Sequence, residues 1–192
     1  GNAAYTYDTR YSATLSMRWD RSNLWGTSNK YQNKPIWSVG LSWNASNEKF
    51  MQDVKWIDML KVRTTYGIAG NVNPTYSPYM VTSANTNHNI GEPYQYVSTR
   101  PNSDLSWEKT TTTNIGVDFS LLHNRLRGSL DYYNKYGERL LATTQGVPTE
   151  GYGYSSYAIN NGEMRNRGLE LTLSGDVMRT RDLTWTLNAM LS

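Results

Sequence analysis

Residues 11–20 read Tyr-Ser-Ala-Thr-Leu-Ser-Met-Arg-Trp-Asp, and the decisive property of this stretch is its split between odd and even positions. Every odd position (Tyr11, Ala13, Leu15, Met17, Trp19) is apolar or aromatic, and every even one (Ser12, Thr14, Ser16, Arg18, Asp20) is polar. Successive side chains of a β-strand point to opposite faces, so a period of two predicts a strand with one apolar and one polar face. The same split recurs in Trp37, Val39, Leu41 and Trp43 against Ser38, Gly40, Ser42 and Asn44. It returns in Leu60, Val62, Tyr66 and Ile68 against Lys61, Arg63 and Gly67, with Thr64 the one polar residue on the apolar side. Further on, Ile115, Val117 and Phe119 oppose Asn114, Gly116 and Asp118, and Leu126, Leu130 and Tyr132 oppose Arg127, Ser129 and Asp131. Leu169, Leu171 and Leu173 and then Leu183, Trp185, Leu187 and Ala189 complete the series. With a partial strand at Ala3, Tyr5 and Tyr7, the pattern predicts about eight strands.

The predicted connections alternate in length. Compact ones fall near Asp8, at His123 and Asn124, and between Met178 and Arg181, while 69–106 and 137–162 read as long loops rich in Asn, Gly, Pro, Ser and Tyr. Short turns on one rim and long loops on the other describe a transmembrane β-barrel with periplasmic turns and extracellular loops. The segments 21–35 and 45–59 have similar length, and in the second Phe50, Val54 and Ile57 stand at helical spacing, which predicts a short helix there. A soluble β-sandwich shares the alternation and is the competing architecture. Aromatic residues weigh for the barrel. Trp19, Trp43, Trp107, Tyr66, Tyr133 and Tyr136 lie near predicted strand ends, where girdles at the two membrane interfaces are expected.

Composition agrees. The 192 residues include 15 Tyr and 7 Trp but only 2 Phe, a bias toward aromatics with a polar handle that suits a boundary between hydrocarbon and water. No strictly apolar run exceeds three residues, which excludes a transmembrane helix of roughly 20 apolar residues. Membrane strands need only about 9–11 residues with alternate ones apolar, so the negative mean hydropathy leaves a barrel open. Cys is absent, which removes disulfides, thiolate metal sites and Cys nucleophiles. The formal charge of +3 is interspersed along the chain and leaves no nucleic-acid footprint.

Longer motifs then identify a family. Arg18-Trp19-Asp20-Arg21-Ser22 resembles an R-x-D-x-S strand end, Pro35 through Phe50 a P-x-x-S-x-G segment leading to an E-x-F turn, and Trp56 to Asn71 a W-x-x-x-L-K-x-R-x-x-Y-G-x-x-G-N stretch. Asp104 to Leu141 is similar, almost position by position, to a D-L-x-W-E-x-T…N-x-G-x-D…N-R-x-x-G-x-x-D-Y-Y-x-K…L-L pattern, and Asn161 to Leu171 to an N-x-G-x-x-x-N-x-G-x-E element. Together they resemble the SusC-like and RagA-like TonB-dependent outer-membrane transporters of Bacteroidetes, in the C-terminal part of the barrel. The departures are small: Ser103 stands where the family often has Pro and Thr65 where Ser is frequent.

The resemblance implies an all-β, antiparallel barrel segment, residues 1–192 supplying part of a wall of about 22 strands, with plug and signal peptide outside this segment. It implies import of oligosaccharides or peptides across the outer membrane, TonB coupling through the plug, a SusD-like surface lipoprotein as lid and contact with outer-membrane lipid. No cofactor is implied. Tyr76, Tyr79, Tyr94, Tyr96, Tyr152, Tyr154 and Tyr157 in the long loops offer flat faces for substrate or for the lid, although packing of the loops on themselves would use the same residues. Asp118, Asp131, Glu170, Arg63 and Arg127 fall on the polar face as a lumen charge network.

Two other classes compete. An enzyme would draw a carboxylate pair from Asp118, Asp131 and Glu170. These acids alternate with Arg and Ser on ordinary strand faces, and no G-x-S-x-G elbow or P-loop occurs, so no catalytic residue is assigned. The second alternative is a soluble or surface-attached carbohydrate-binding β-sandwich. A metal site has no histidine pair, since His88 and His123 fall in loops of opposite rims, and no twelve-residue calcium loop is present.

Overall fold

A computed structural model describes residues 1–22, 33–152 and 156–192. The strands are β1 (Asn2–Tyr7), β2 (Tyr11–Arg21), β3 (Asn33–Asn44), β4 (Ile57–Asn71), β5 (Val81–Thr86), β6 (Pro93–Thr99), β7 (Glu108–Leu121), β8 (Leu126–Gln145), β9 (Ser156–Arg179) and β10 (Thr184–Leu191). Eight of them form one antiparallel sheet in the order β1-β2-β3-β4-β7-β8-β9-β10, and β5 pairs with β6 in a separate hairpin inserted between β4 and β7. The main sheet is therefore an up-and-down meander in which chain order is spatial order.

Register carries the sequence alternation across the sheet. Tyr11 pairs with Trp43, Trp43 with Val62, Val62 with Val117, Val117 with Leu130, Leu130 with Leu171, and Leu171 with Leu191. Beside this apolar row runs a polar one, in which Ser42, Arg63, Gly116, Asp131 and Glu170 are successive partners. A slip of one residue at any pair would exchange the two faces, so the alternation itself specifies the register.

The hairpins of the short rim are staggered. Trp43 and Val62 stand close to the β3–β4 connection, but the row they begin meets β7 and β8 before their turn at Leu121 and Leu126, and meets β9 well before Arg179 and Thr184. Each later turn lies further along the strand direction. That progressive offset is the shear of strands tilted in a barrel wall.

Among the described residues no second layer covers the apolar face. Leu41, Leu169 and Leu187 are 53%, 60% and 61% exposed, and the buried hydrophobic residues among those described are Ala45, Leu105, Trp107 and Ala158. A soluble sandwich would bury its leucines against a second sheet. Here the only other sheet among the described residues is the β5–β6 hairpin. Hydrocarbon is the solvent that such a face fits, because every backbone polar group between paired strands is already satisfied within the sheet.

The short turns use left-handed backbone. Asp8 and Thr9 have φ of 50° and 54° between paired Tyr7 and Tyr11, the pattern of a two-residue turn matched to strand twist. Leu122, His123 and Asn124 have φ of 56°, 58° and 62°, and the Asn124 N–H donates to Asp58 Oδ2 at 2.8 Å.

Three expectations need correction. The segment 45–59 forms no α-helix: it makes two 3-10 turns, Ala45–Asn47 and Lys49–Met51, and Ile57 already begins β4. The competing force is the rim, since Asn47 Nδ2 reaches back to the Thr9 carbonyl at 3.0 Å and Glu48 to Arg10 at 3.1 Å, contacts that winding into a longer helix would carry away. Residues 137–162 are mostly strand, because β8 runs to Gln145 and β9 starts at Ser156, and 69–106 contains the β5–β6 hairpin. The period of two is lost there because a bulge between Gly137 and Leu141, with Arg139 at φ 58°, shifts the register and breaks the phase of the alternation. Finally, Tyr66, Tyr133 and Tyr136 lie inside β4 and β8 rather than at strand ends, Tyr133 shares the polar face with Asn114, and Trp107 is buried. Strands that outrun the apolar band no longer mark its edge with their ends. On β8 and β9 the edge falls between the Tyr132–Leu169 pair and the Asn134–Arg167 pair.

Candidate functional site

At the short-turn rim, Glu48 accepts hydrogen bonds from the Tyr11 hydroxyl (2.5 Å), the Trp43 indole N–H (3.2 Å) and the Arg10 guanidinium (3.1 Å). Arg10 also pairs with Asp8. Tyr11 and Trp43 are partners across β2 and β3, so this one carboxylate ties an aromatic pair of the apolar face to the connecting turn. The donors, Tyr11 first, hold its carboxyl below the ordinary value of 4.5. A lowered native value means that these contacts contribute fully above pH 4.5 and are lost as pH falls through the native value. Wild-type thermal stability in detergent is accordingly expected to drop below that pH, with a shallower acid limb in Glu48→Gln; parallel curves would refute the assignment.

The polar face carries the charge network. Arg63 Nε is 3.0 Å from Asp118 Oδ2 and its Nη2 is 2.7 Å from Asp131 Oδ1, spanning β4, β7 and β8. The guanidinium crosses directly over Gly116, where an added Cβ would stand 2.5 Å from Asp131 Oδ1 and 2.8 Å from Arg63 Cζ. Glycine is required here by that close approach, not by backbone angle. Two carboxylates held by one guanidinium are charge-paired, and this is not the arrangement of a general acid and base. Glu170 follows in the same row beside Asp131, and Arg127 reaches Asp176 at 3.4 Å.

At the opposite end, the segment 100–108 is stapled to the upper parts of β8 and β9. Leu105, Trp107 and Ala158 form a buried cluster with Val72, Tyr76 and Leu141 against it. Asn160 locks the segment by donating to the Ser106 and Arg139 carbonyls (2.8 and 2.7 Å) while its Oδ1 accepts the Ser106 N–H (2.8 Å). Glu108 accepts the Leu141 N–H at 3.0 Å and the Asn71 amide at 2.9 Å. Arg100 closes the arrangement. Its guanidinium carbon lies 4.5 Å from the Tyr157 ring centre and 5.3 Å from that of Tyr152, and it pairs with Glu150.

The seven tyrosines divide accordingly. Tyr76 and Tyr157 line one cavity of about 270 Å³, together with Arg100. Tyr152 stands beside Arg100 on the same side of the structure. Tyr94 and Tyr96 form a separate exposed pair on β6, ring centres 6.1 Å apart, and Tyr79 is exposed. Tyr154 lies outside the described residues. Sequence reasoning missed Arg100, Asn160 and Glu108 as the residues that bring these parts together. Among the described residues no three His, Asp or Glu side chains converge on a metal-sized site.

Comparison with known proteins places this geometry. The TonB dependent receptor-like, beta-barrel family matches residues 1–192. The chain is 33% identical over 196 residues to the TonB-dependent receptor SusC of Bacteroides thetaiotaomicron, covering 98% of this chain and 19% of that protein. It is 34% identical over 190 residues to the TonB-dependent receptor P39 of Formosa agariphila, covering 95% and 17%. The chain thus spans about a fifth of the length of the curated relatives it matches. Among solved structures, the RagAB peptide importer in its closed-closed state superposes with a TM-score of 0.85 at 27% identity, over 98% of this chain and 20% of that one. The siderophore receptor PirA of Pseudomonas aeruginosa shares the fold, with a TM-score of 0.61 at 15% identity over 99% and 33%. Uncovered apolar face, staggered meander and a family match along the whole chain agree: this chain belongs to the TonB-dependent receptor β-barrel family, as a homologue of SusC.

Proposed function

We propose that residues 1–192 form part of the wall of a single outer-membrane barrel that imports oligosaccharides or peptides, with a plug supplied elsewhere in the longer protein. TonB energises the plug, and a SusD-like lipoprotein lids the extracellular end. The observation that carries this reading is the sheet with an uncovered apolar face and an ion-paired polar face. In a plugged barrel the first meets lipid and the second meets the lumen. The RagAB peptide importer is the similar structure that brings nutrient import into view, and SusC is a similar TonB-dependent receptor. Their receptor class also supports a transport role over an enzymatic one.

The long-loop tyrosines are the proposed contact surface for substrate or lid. Tyr94 and Tyr96 serve best, because both are about half exposed and two residues apart on one face of β6. Replacing both with Ala in the full-length protein is expected to weaken capture of labelled nutrient by cells about three- to tenfold, the scale of one or two lost aromatic contacts. Outer-membrane yield should stay unchanged. Uptake of the transported nutrient that persists in a TonB-deficient strain would overturn the transport reading itself.

A further inference from the structure

The E-x-F motif of the sequence, Glu48-Lys49-Phe50, converges on one side chain. Glu48 accepts the Trp43 indole N–H at 3.2 Å, and the centre of the Phe50 ring lies 6.5 Å from that of Trp43, with the planes tilted by 48°. Tilted aromatic pairs at this spacing attract. Trp43 belongs to the apolar face, in the row that runs on through Val62 and Val117. Phe50 lies outside the sheet, yet this contact adds its ring to that face. The residue is 64% exposed, and unlike Tyr11 and Trp43 beside Glu48 its ring has no polar atom to offer water.

The backbone holds Phe50 in this place. Asn47 Nδ2 donates to the Thr9 carbonyl at 3.0 Å in the β1–β2 turn, and the Trp56 carbonyl accepts the Leu122 N–H at 2.9 Å in the β7–β8 turn, so the connection is pinned to both neighbouring hairpins. Between the pins, the N–H groups of Glu48, Met51, Val54 and Ile57 each donate to the carbonyl three residues back. The connection is a chain of turns with little slack. Another of its sides is polar: Lys49 and Gln52 line a hollow with Asp8, Thr9, Ser46 and Asn47. A segment with one apolar and one polar side, set against the end of an apolar band, has the anatomy of an element lying in a membrane interface.

We propose that the connection 45–56 is a lipid anchor of the short-turn rim: Phe50 enters the hydrocarbon edge of the membrane beside Trp43, while Lys49 and Gln52 stay in water. The inference rests on the outer-membrane reading and extends its lipid surface from the sheet to a turn. Continuity decides the occupant. The Phe50 ring adjoins the apolar face at Trp43, so the lipid that covers one covers the other, and a protein partner would have to displace it. Moving the exposed part of a Phe ring from water into hydrocarbon favours insertion about tenfold. Glu48 and Phe50 hold Trp43 from two directions, which fixes where the apolar band ends on this rim.

The test places a nitroxide on single cysteines of the full-length protein, in a background without other cysteines, reconstituted in vesicles of phosphatidylethanolamine and phosphatidylglycerol. Collisions with oxygen, which concentrates in hydrocarbon, are compared with collisions with a water-soluble nickel chelate. Labels at Phe50→Cys and Leu41→Cys should both favour oxygen, and a label at Gln52→Cys should favour nickel. Met51→Cys keeps Phe50 in place: adding Phe50→Ser should shift its label toward water, and adding Phe50→Leu should not. A label that favours nickel at Phe50 but oxygen at Leu41, or a Met51 label indifferent to Phe50→Ser, would overturn the anchor and leave the barrel reading standing. Preference for nickel at Leu41 as well would overturn both.

Discussion

Leu171→Arg is expected to reduce the amount of folded protein in the outer membrane severely, while Thr172→Arg, one residue away, leaves it near wild type. Leu171 lies in the apolar row between Leu130 and Leu191, with Tyr132–Leu169 on one side along the strand and Gly128–Leu173 on the other. That position is the interior of the apolar band, where a cation costs roughly 2–4 kcal/mol in a membrane barrel. Thr172 pairs with Ser129 and Met190 and points to the face that holds Arg63, Asp118 and Asp131. An added cation there stays in polar surroundings. Comparing outer-membrane fractions of the two variants checks the face assignment directly, and equal losses would show that it is reversed or absent.

Gly128→Ala should destabilise the barrel, whereas Gly175→Ala should be close to neutral. Both glycines sit on the apolar face, and they flank Leu126 and Leu173 in adjoining positions of β8 and β9. A Cβ at Gly128 would stand 2.5 Å from the Thr172 carbonyl oxygen and 2.7 Å from Phe119 Cζ. The Phe119 ring could turn aside. The carbonyl cannot, because it belongs to the paired backbone of β9. At Gly175 the nearest atom is Leu126 Cδ1 at 3.8 Å, an ordinary contact. Overpacking of the Gly128 kind costs about 1–3 kcal/mol. Denaturant unfolding in detergent of the two variants measures the difference, and equal midpoints would contradict the close approach of β8 and β9 at Gly128.

Much of the barrel wall was legible before any coordinates. Leu130, Leu171, Val62 and Trp43 could be assigned to one face from period-two alternation alone, and the structure places them in one row. The tight turn at Asp8 and the turn at His123–Asn124 were likewise visible in the breaks of that pattern. The upper halves of β8 and β9 were not. Beyond the apolar band both faces are polar, with Asn134, Arg165 and Arg167 on one and Lys135 and Asn166 on the other, so the strand continues without the contrast that reveals it. The bulge at Arg139 then shifts the phase.

The loop end shows the same limit. Asp104 through Glu108 stood out as a motif, but its meaning is that Leu105 and Trp107 are buried while Glu108 caps the Leu141 N–H. Seven tyrosines looked equivalent in sequence. In the structure Tyr76 and Tyr157 share a cavity, Tyr94 and Tyr96 stand apart on the hairpin, and Arg100 decides which rings are joined.

The alternation of residues determined which side chains share the apolar face and which share the polar one, because a strand's two faces are a local consequence of its backbone geometry. Which loop residues meet was decided only by the tertiary structure. Contacts such as Asn160 with Ser106 and Arg100 with Tyr157 join segments distant in the chain, and they depend on how far β8 and β9 project and where the bulge bends them. No pattern among neighbouring residues encodes that distance.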